Sequence, residues 1–218
     1  MKRMRFWSPA WVGLALLVAG CNTLGPQYKT TSALEGIIAG PPQQSRAGML
    51  PPKALTVGLI ASDATEMTLA HFAKSQQSIA AGWRPQEVRS GAESYDPSRP
   101  VNFVVEMLKS RFGRVQLIPD MNVLASLPQP AVGCVFDLRY SGINDIGGQR
   151  VNATSELVFL DADGAVQMSV VGRAYKHNPG GQMGAQAMAE WMTTQSSTVQ
   201  QAIEDMRTQL DARLTGRR

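Results

Sequence analysis

The chain has few of the side chains from which catalytic and metal sites are built. Among its 218 residues, only two are histidine and two are cysteine. A histidine-rich metal cluster is therefore excluded, and neither His71 nor His177 has a second histidine at helical ligand spacing. The sequence also has no GxSxG elbow, Walker A loop or GxGxxG fingerprint. We therefore predict no catalytic residue, no metal and no cofactor.

A long hydrophobic run is missing as well. The longest one near the start, 6–19, is interrupted by a serine, a proline and a glycine. It falls short of the roughly 20 apolar residues that a membrane-spanning helix needs. It follows the basic residues Lys2, Arg3 and Arg5 and ends in small residues, which is typical of a secretory signal peptide. We predict a signal peptide over 1–20.

The end of that segment carries the most specific motif in the chain. Val18, Ala19, Gly20 and Cys21 resemble the bacterial lipobox at every position. The resemblance implies diacylglyceryl transfer to the Cys21 thiol, cleavage before it and acylation, for example with palmitate, of the new amino terminus. Asn22 differs from the aspartate that retains enterobacterial lipoproteins in the inner membrane. We therefore expect a Gram-negative outer-membrane lipoprotein that faces the periplasm.

Removal of 1–20 changes the charge balance. Three of the 21 basic residues leave with the signal peptide, so that 18 remain against 17 acidic residues. A nearly neutral protein does not have the electrostatic footprint of a nucleic-acid binder. Lipidation uses Cys21, which leaves Cys134 without an intramolecular disulfide partner, and its apolar surroundings predict a buried thiol.

Composition divides the rest of the chain into two regions. Residues 21–53 contain two Pro-Pro pairs and several glycines, and we interpret them as a poorly packed, lipidated tether. Within it, 32–38 could form one helical turn or a short docking segment. Residues 54–218 are numerous enough for a single globular domain.

The first half of this domain has the pattern of a crossover unit. A buried strand is predicted over 54–62, a helix over 100–112 and a second strand over 114–118, followed by a short helix that Asp120 caps. Residues 63–98 are ambiguous, because 63–82 could form a helix or a strand with a loop. Residues 83–98 are interpreted as an irregular excursion.

The second half predicts a three-stranded antiparallel meander. Apolar and polar residues alternate over 131–143, and two β-rich runs over 151–175 meet at a turn containing Asp163 and Gly164. An apolar stripe then indicates a long C-terminal helix, or two helices broken near 195–197. The fold class is therefore α/β (α+β), with a mixed sheet.

The isolated acidic residues and the DADG sequence do not indicate a catalytic or metal site. Asp137, Asp145 and Glu106 are interpreted as surface charges. The sequence at 161–164, DADG, resembles part of a calcium loop but lacks the remaining oxygen ligands, so a hairpin turn is the better interpretation. We assign the aromatic residues to the core: Trp83, Tyr95, Phe103, Phe112, Tyr140 and Trp191.

The order of elements over 54–214 resembles that of several Gram-negative envelope lipoproteins. These are the curli-secretion lipoproteins, the penicillin-binding-protein activator lipoproteins and the auxiliary lipoproteins of ABC-type transport systems. The resemblance implies a non-catalytic accessory or assembly factor for envelope, secretion or transport machinery, with an envelope protein as partner. An oligomer is compatible with this class. The alternatives are a membrane-anchored periplasmic hydrolase and a carrier of a lipid or another apolar ligand.

Overall fold

The computed structural model describes residues 22–23, 25–39, 41–44, 52–82, 96–145, 148–179 and 185–216. Within them, six strands and three α-helices form a mixed α and β fold in which two helices follow the second strand and three consecutive strands precede the last helix. The strands are β1 (Asn22–Thr23), β2 (Thr56–Ala61), β3 (Arg114–Leu117), β4 (Ala131–Asp145), β5 (Gly148–Leu160) and β6 (Val166–Asn178). The helices are α1 (Asp63–Gly82), α2 (Arg99–Lys109) and α3 (Ala185–Leu214). A 3₁₀ helix covers Met121–Ser126.

All six strands belong to one mixed sheet. Its order is β3-β2-β4-β5-β6, and β1 pairs with the far end of β4. Strand β2 is parallel to both β3 and β4, whereas β4, β5 and β6 form an antiparallel meander. The predicted mixed sheet, with its strand-helix-strand unit, meander and long C-terminal helix, is confirmed.

The three α-helices cover one face of the sheet. Phe72 of α1, Leu108 of α2 and Met206 of α3 are at most 1% exposed and share one hydrophobic cluster with the inward side chains of the strands. The C-terminal helix is continuous through 195–197, so the predicted alternative of two helices is wrong. It approaches β6 closely at Gly172, where any Cβ atom would overlap the backbone of Ala202 and Met206.

A second hydrophobic cluster covers part of the opposite face. The 3₁₀ helix contributes Leu124, and the segment 25–39, here named the strap, contributes Ala33 and Leu34. Leu34 is only 6% exposed. The interpretation of 21–53 as poorly packed is therefore wrong for the strap. Its turn at 33–37 docks onto the sheet, in agreement with the docking segment considered for 32–38.

The described residues also test the predictions for 63–82, for Asp120 and for the hairpin turn. The ambiguous segment 63–82 is the helix α1, and Asp120 caps the 3₁₀ helix by accepting the backbone N–H of Asn122 at 2.8 Å. The hairpin loop is longer than two residues, because β5 ends at Leu160 and β6 starts at Val166. The Asp161 carboxylate accepts two backbone N–H groups inside that loop. The excursion over 83–95 lies outside the described residues.

Candidate functional site: the N-terminal strap on strand β4

The predicted lipid-attachment site borders the described part of the chain. Cys21, with Val18, Ala19 and Gly20 before it, lies outside the described residues. Asn22, the predicted sorting residue, begins β1 and pairs with Asn144, while Thr23 pairs with Ile143. The chain therefore joins the sheet at Asn22, immediately after the predicted lipid-attachment residue Cys21, at the end of β4.

Strand β4 is longer than its neighbour β2, so part of the β4 edge has no strand to pair with. Strand β2 pairs only with 131–136, although β4 continues to Asp145. The edge of β4 from Leu138 onward would expose unpaired N–H and C=O groups, and such groups are costly when they are buried. Side chains from α1 and from the strap satisfy them.

Two threonines of α1 bond to the first part of this edge. The Thr65 hydroxyl donates to the carbonyl of Phe136 at 2.8 Å and accepts the N–H of Leu138 at 2.8 Å. The Thr68 hydroxyl donates to the carbonyl of Leu138 at 2.8 Å. Both threonines are 0% exposed. Their hydroxyls therefore replace the backbone groups of a missing strand.

Tyr28 of the strap continues this row of hydroxyls. Its Oη accepts the N–H of Tyr140 at 2.6 Å, lies 3.1 Å from the Tyr140 carbonyl and contacts Thr68 Oγ1 at 2.8 Å. Three residues of helix rise about 4.5 Å, whereas two residues of strand rise about 6.7 Å, so a third helical side chain would fall behind the strand. The longer tyrosine side chain covers that distance. We name Thr65, Thr68 and Tyr28 the hydroxyl row.

A partly buried arginine of β4 holds the strap beside this row. Arg139 donates through Nε to Asp137 at 2.7 Å and through Nη1 to the carbonyl of Thr30 at 2.7 Å. Its guanidinium carbon lies 5.3 Å from the centre of the Tyr28 ring. Asp137 also accepts the Ser62 hydroxyl at 2.6 Å. The Asp137–Arg139 pair lies within β4 and orients the guanidinium, which connects the strap to β4 by a hydrogen bond and a cation–π contact.

The interpretation of Asp137 as a surface charge is wrong. The residue is 3% exposed, and its carboxylate is paired with Arg139 and Ser62. Asp137 points to the face opposite the hydrophobic cluster of the helices, as the strand alternation predicts, but Ser62 and Arg139 cover its carboxylate there. Glu106, in contrast, is exposed and pairs with Lys109 at 2.8 Å.

The structure also locates the remaining potentially reactive side chains, which are Cys134, His71 and His177. Cys134 is fully buried, and burial raises the pKa of its thiol well above the usual range. His71 stacks on Tyr140 with ring centroids 5.9 Å apart. Burial, with a smaller contribution from the Lys74 charge, lowers its pKa. His177 lies on β6 opposite Arg150. The predicted core positions of Phe112, Tyr140 and Trp191 are confirmed.

Two of the hollows between described residues bear on the apolar-ligand alternative. One lies between α2 and α3, beside Phe103 and Ile203, and its volume of about 30 Å³ has room for water but not for an acyl chain. The other measures about 370 Å³ and lies between the strap, the 3₁₀ helix and the β5–β6 loop, beside Gln43, Asn122 and Asp163. Neither matches the apolar cavity between sheet and long helix that a lipid carrier would require.

The part of the chain that the structure describes contains neither a membrane-spanning helix nor a cluster of metal-ligating side chains. No described helix is long and apolar enough to cross a bilayer. In the same residues, no group of three or more histidine, cysteine or acidic side chains could hold a metal ion.

Comparison with known proteins gives one remote likeness. No family model and no curated protein matches the chain. Among solved structures, the chain is similar to a dodecamer of a PelC variant from Paraburkholderia phytofirmans, with 18% sequence identity and a TM-score of 0.28. The alignment covers 77% of this chain and 95% of the PelC chain. A TM-score of this size assigns neither fold nor function to the chain.

Proposed function

We propose that this protein is a lipid-anchored, periplasm-facing accessory factor of the outer membrane that acts by binding another envelope protein. The lipobox at 18–21 supports the anchor. The pairing of Asn22 with Asn144 is consistent with it, because it would hold the folded domain close to the acylated cysteine rather than at the end of a long tether.

The observation that carries the binding role is the outer edge of β3. No strand covers that edge in the described part of the chain, and Leu117 on it is 59% exposed. An uncovered edge strand offers backbone N–H and C=O groups to a strand of a partner, and an exposed leucine adds apolar contact area. The edge of β4 is closed by the hydroxyl row, and on β6, the other outer strand, Gln43 and Asp205 already accept the backbone N–H groups of Val166 and Arg173. Strand β3 is therefore the better template.

The absence of catalysis is part of the proposal. A hydrolase would need an accessible nucleophile beside a base. Ser62 and Asp137 are the nearest approach to such a pair, but Ser62 is 3% exposed and its oxygen also accepts the backbone N–H of Thr65 at 3.1 Å. This geometry suits the N-cap of α1 and the fixing of the Asp137–Arg139 pair.

Site-specific photo-crosslinking in cells tests the proposal. A photoreactive amino acid at Leu117 should give an adduct with an envelope protein, and Leu117→Arg in the otherwise unaltered chain should abolish the envelope function that deletion of the protein impairs. The matched control carries the photoreactive group at Thr208, an exposed position on α3. Absence of an adduct at Leu117, together with unchanged permeability and export after deletion, would contradict the proposal.

A further inference from the structure

The outer half of β6 presents an aromatic side chain on the face opposite α3. Lys176 and Asn178 of β6 contact α3 through Ser197 and Thr194, so the alternate residues Arg173, Tyr175 and His177 face the other way. Tyr175 is 56% exposed, and among the described residues only Leu117 is a comparably exposed large hydrophobic residue.

Basic side chains surround this tyrosine. Arg173 and His177 are its neighbours on the same side of β6, and Asn152 lies opposite it on β5. Arg150 pairs with His177 and is therefore a diagonal neighbour of Tyr175. We name Arg150, Arg173, Tyr175 and His177 the basic patch.

Asp205 of α3 borders the patch, because its carboxylate accepts the backbone N–H of Arg173 at 3.0 Å, whereas two acidic side chains of the same face bond to other groups. Glu156 accepts the Ser169 hydroxyl at 2.8 Å, and Asp137 pairs with Arg139. Asp145 is the one acidic residue of the β4–β5 end itself. The patch therefore combines two arginines and a histidine around an exposed aromatic ring, a combination that favours an anionic partner with an apolar border.

The patch lies at the same end of the sheet as the predicted anchor. Thr23 pairs with Ile143, Ile143 with Arg150 and Arg150 with His177, so these residues form one row across four strands. With strands about 4.8 Å apart, His177 lies roughly 14 Å from Thr23. Cys21 is only two residues from that row. The patch is thus within reach of the headgroups around the acyl chains.

We propose that the basic patch binds anionic phospholipid headgroups of the leaflet that holds the acyl chains, so that this face of the sheet lies against the membrane. The inference rests on the proposed lipid anchor. Each arginine near an anionic surface strengthens the contact about fivefold, and tyrosine favours the headgroup region. The anchor makes the contact intramolecular, so such weak interactions suffice.

Spin labelling of the mature lipidated protein in vesicles tests the proposal. The label is attached to Asn152→Cys, which lies beside Tyr175, and the buried Cys134 and acylated Cys21 leave this thiol as the reactive one. Vesicles of phosphatidylcholine are compared with vesicles that also contain phosphatidylglycerol. On the latter, we expect a severalfold fall in collision of the label with a water-soluble paramagnetic chelate. The charge reversals Arg150→Glu and Arg173→Glu together should restore the collision rate.

A label at Gln116→Cys on β3, with Arg99→Glu and Arg114→Glu as charge-matched variants, provides the control and should respond to neither lipid. Equal collision rates at Asn152→Cys on both vesicles would overturn the proposal. So would protection that occurs only in native membranes, because a protein would then cover the face. Failure of the anchor is recognised separately, as absence of acyl mass and of flotation with either vesicle.

Discussion

At the residue scale, the hydroxyl row gives two threonines of α1 a specific role at the edge of β4. Thr65 and Thr68 lie on one turn of α1, and their methyl groups would suit an apolar helix face equally well. Their hydroxyls are used because β4 continues past the end of β2. The sequence contains no local signal for this arrangement, since the partners are about 70 residues away.

We expect Thr65→Val to destabilise the fold by about 1–3 kcal/mol, because it leaves the N–H of Leu138 buried without a partner while it preserves the side-chain shape. Urea unfolding followed by circular dichroism measures the loss. Thr208→Val is the control, because the Thr208 hydroxyl donates to a carbonyl of its own helix on the exposed side. Similar urea midpoints for the two variants would contradict the role of the hydroxyl row.

A second prediction concerns the ion pair between the end of α2 and α3. Arg111 donates through Nη2 to Asp211 at 2.6 Å, and this hydrogen bond lowers the pKa of the Asp211 carboxyl. Because the folded-state pKa is depressed, the stabilisation is present above the unfolded pKa of about 4 and is lost as the pH falls through the folded value. The carboxylate is half exposed, so the contribution stays below about 1 kcal/mol.

The stability difference between wild type and Asp211→Asn should therefore be present at neutral pH, decrease below about pH 4 and vanish only below the lower folded-state pKa of Asp211. Urea midpoints of both proteins across this range measure it. The same difference at pH 3 as at pH 7 would show that the charge of Asp211 has no part in the contact.

At the element scale, the contrast between β4 and the strap shows how far sequence patterns reach. The alternation over 131–143 predicts the two faces of β4 because hydrophobic period and strand period coincide. The apolar residues at 33–38 indicate no more than one helical turn of the strap, and Tyr28 meets Tyr140 across 112 positions of sequence. Its packing depends on a sheet edge that exists only after the whole meander has formed.

Leu34 is the apolar anchor of the strap. We expect Leu34→Ala to cost about 2–5 kcal/mol in local stability, because it removes a buried side chain from the second hydrophobic cluster. The strap should then open more often, which predicts faster hydrogen exchange of the Tyr140 N–H. Gln27→Ala, at an exposed strap position, is the control. Unchanged exchange at Tyr140 in Leu34→Ala would mean that Tyr28 holds the strap alone.

At the scale of the whole molecule, the count of reactive thiols combines the fold with the proposed anchor. Cys134 is fully buried, and its raised pKa disfavours the thiolate that reacts with maleimides. The mature protein should therefore show no reactive thiol when folded and one thiol per chain in urea. A second thiol in urea would contradict acylation of Cys21. Mass spectrometry of the N-terminal peptide provides the matching readout.

The order in which the strap contacts β4 has a mechanical consequence. From the anchor inward, the chain meets the sheet first at β1, then at Tyr28, then at Thr30 and finally at Leu34. A force that pulls the domain away from the bilayer would load these contacts one after another rather than all together. The strap would thus detach from the sheet one contact at a time. The main hydrophobic core would bear no load until Leu34, the last of these contacts, had separated.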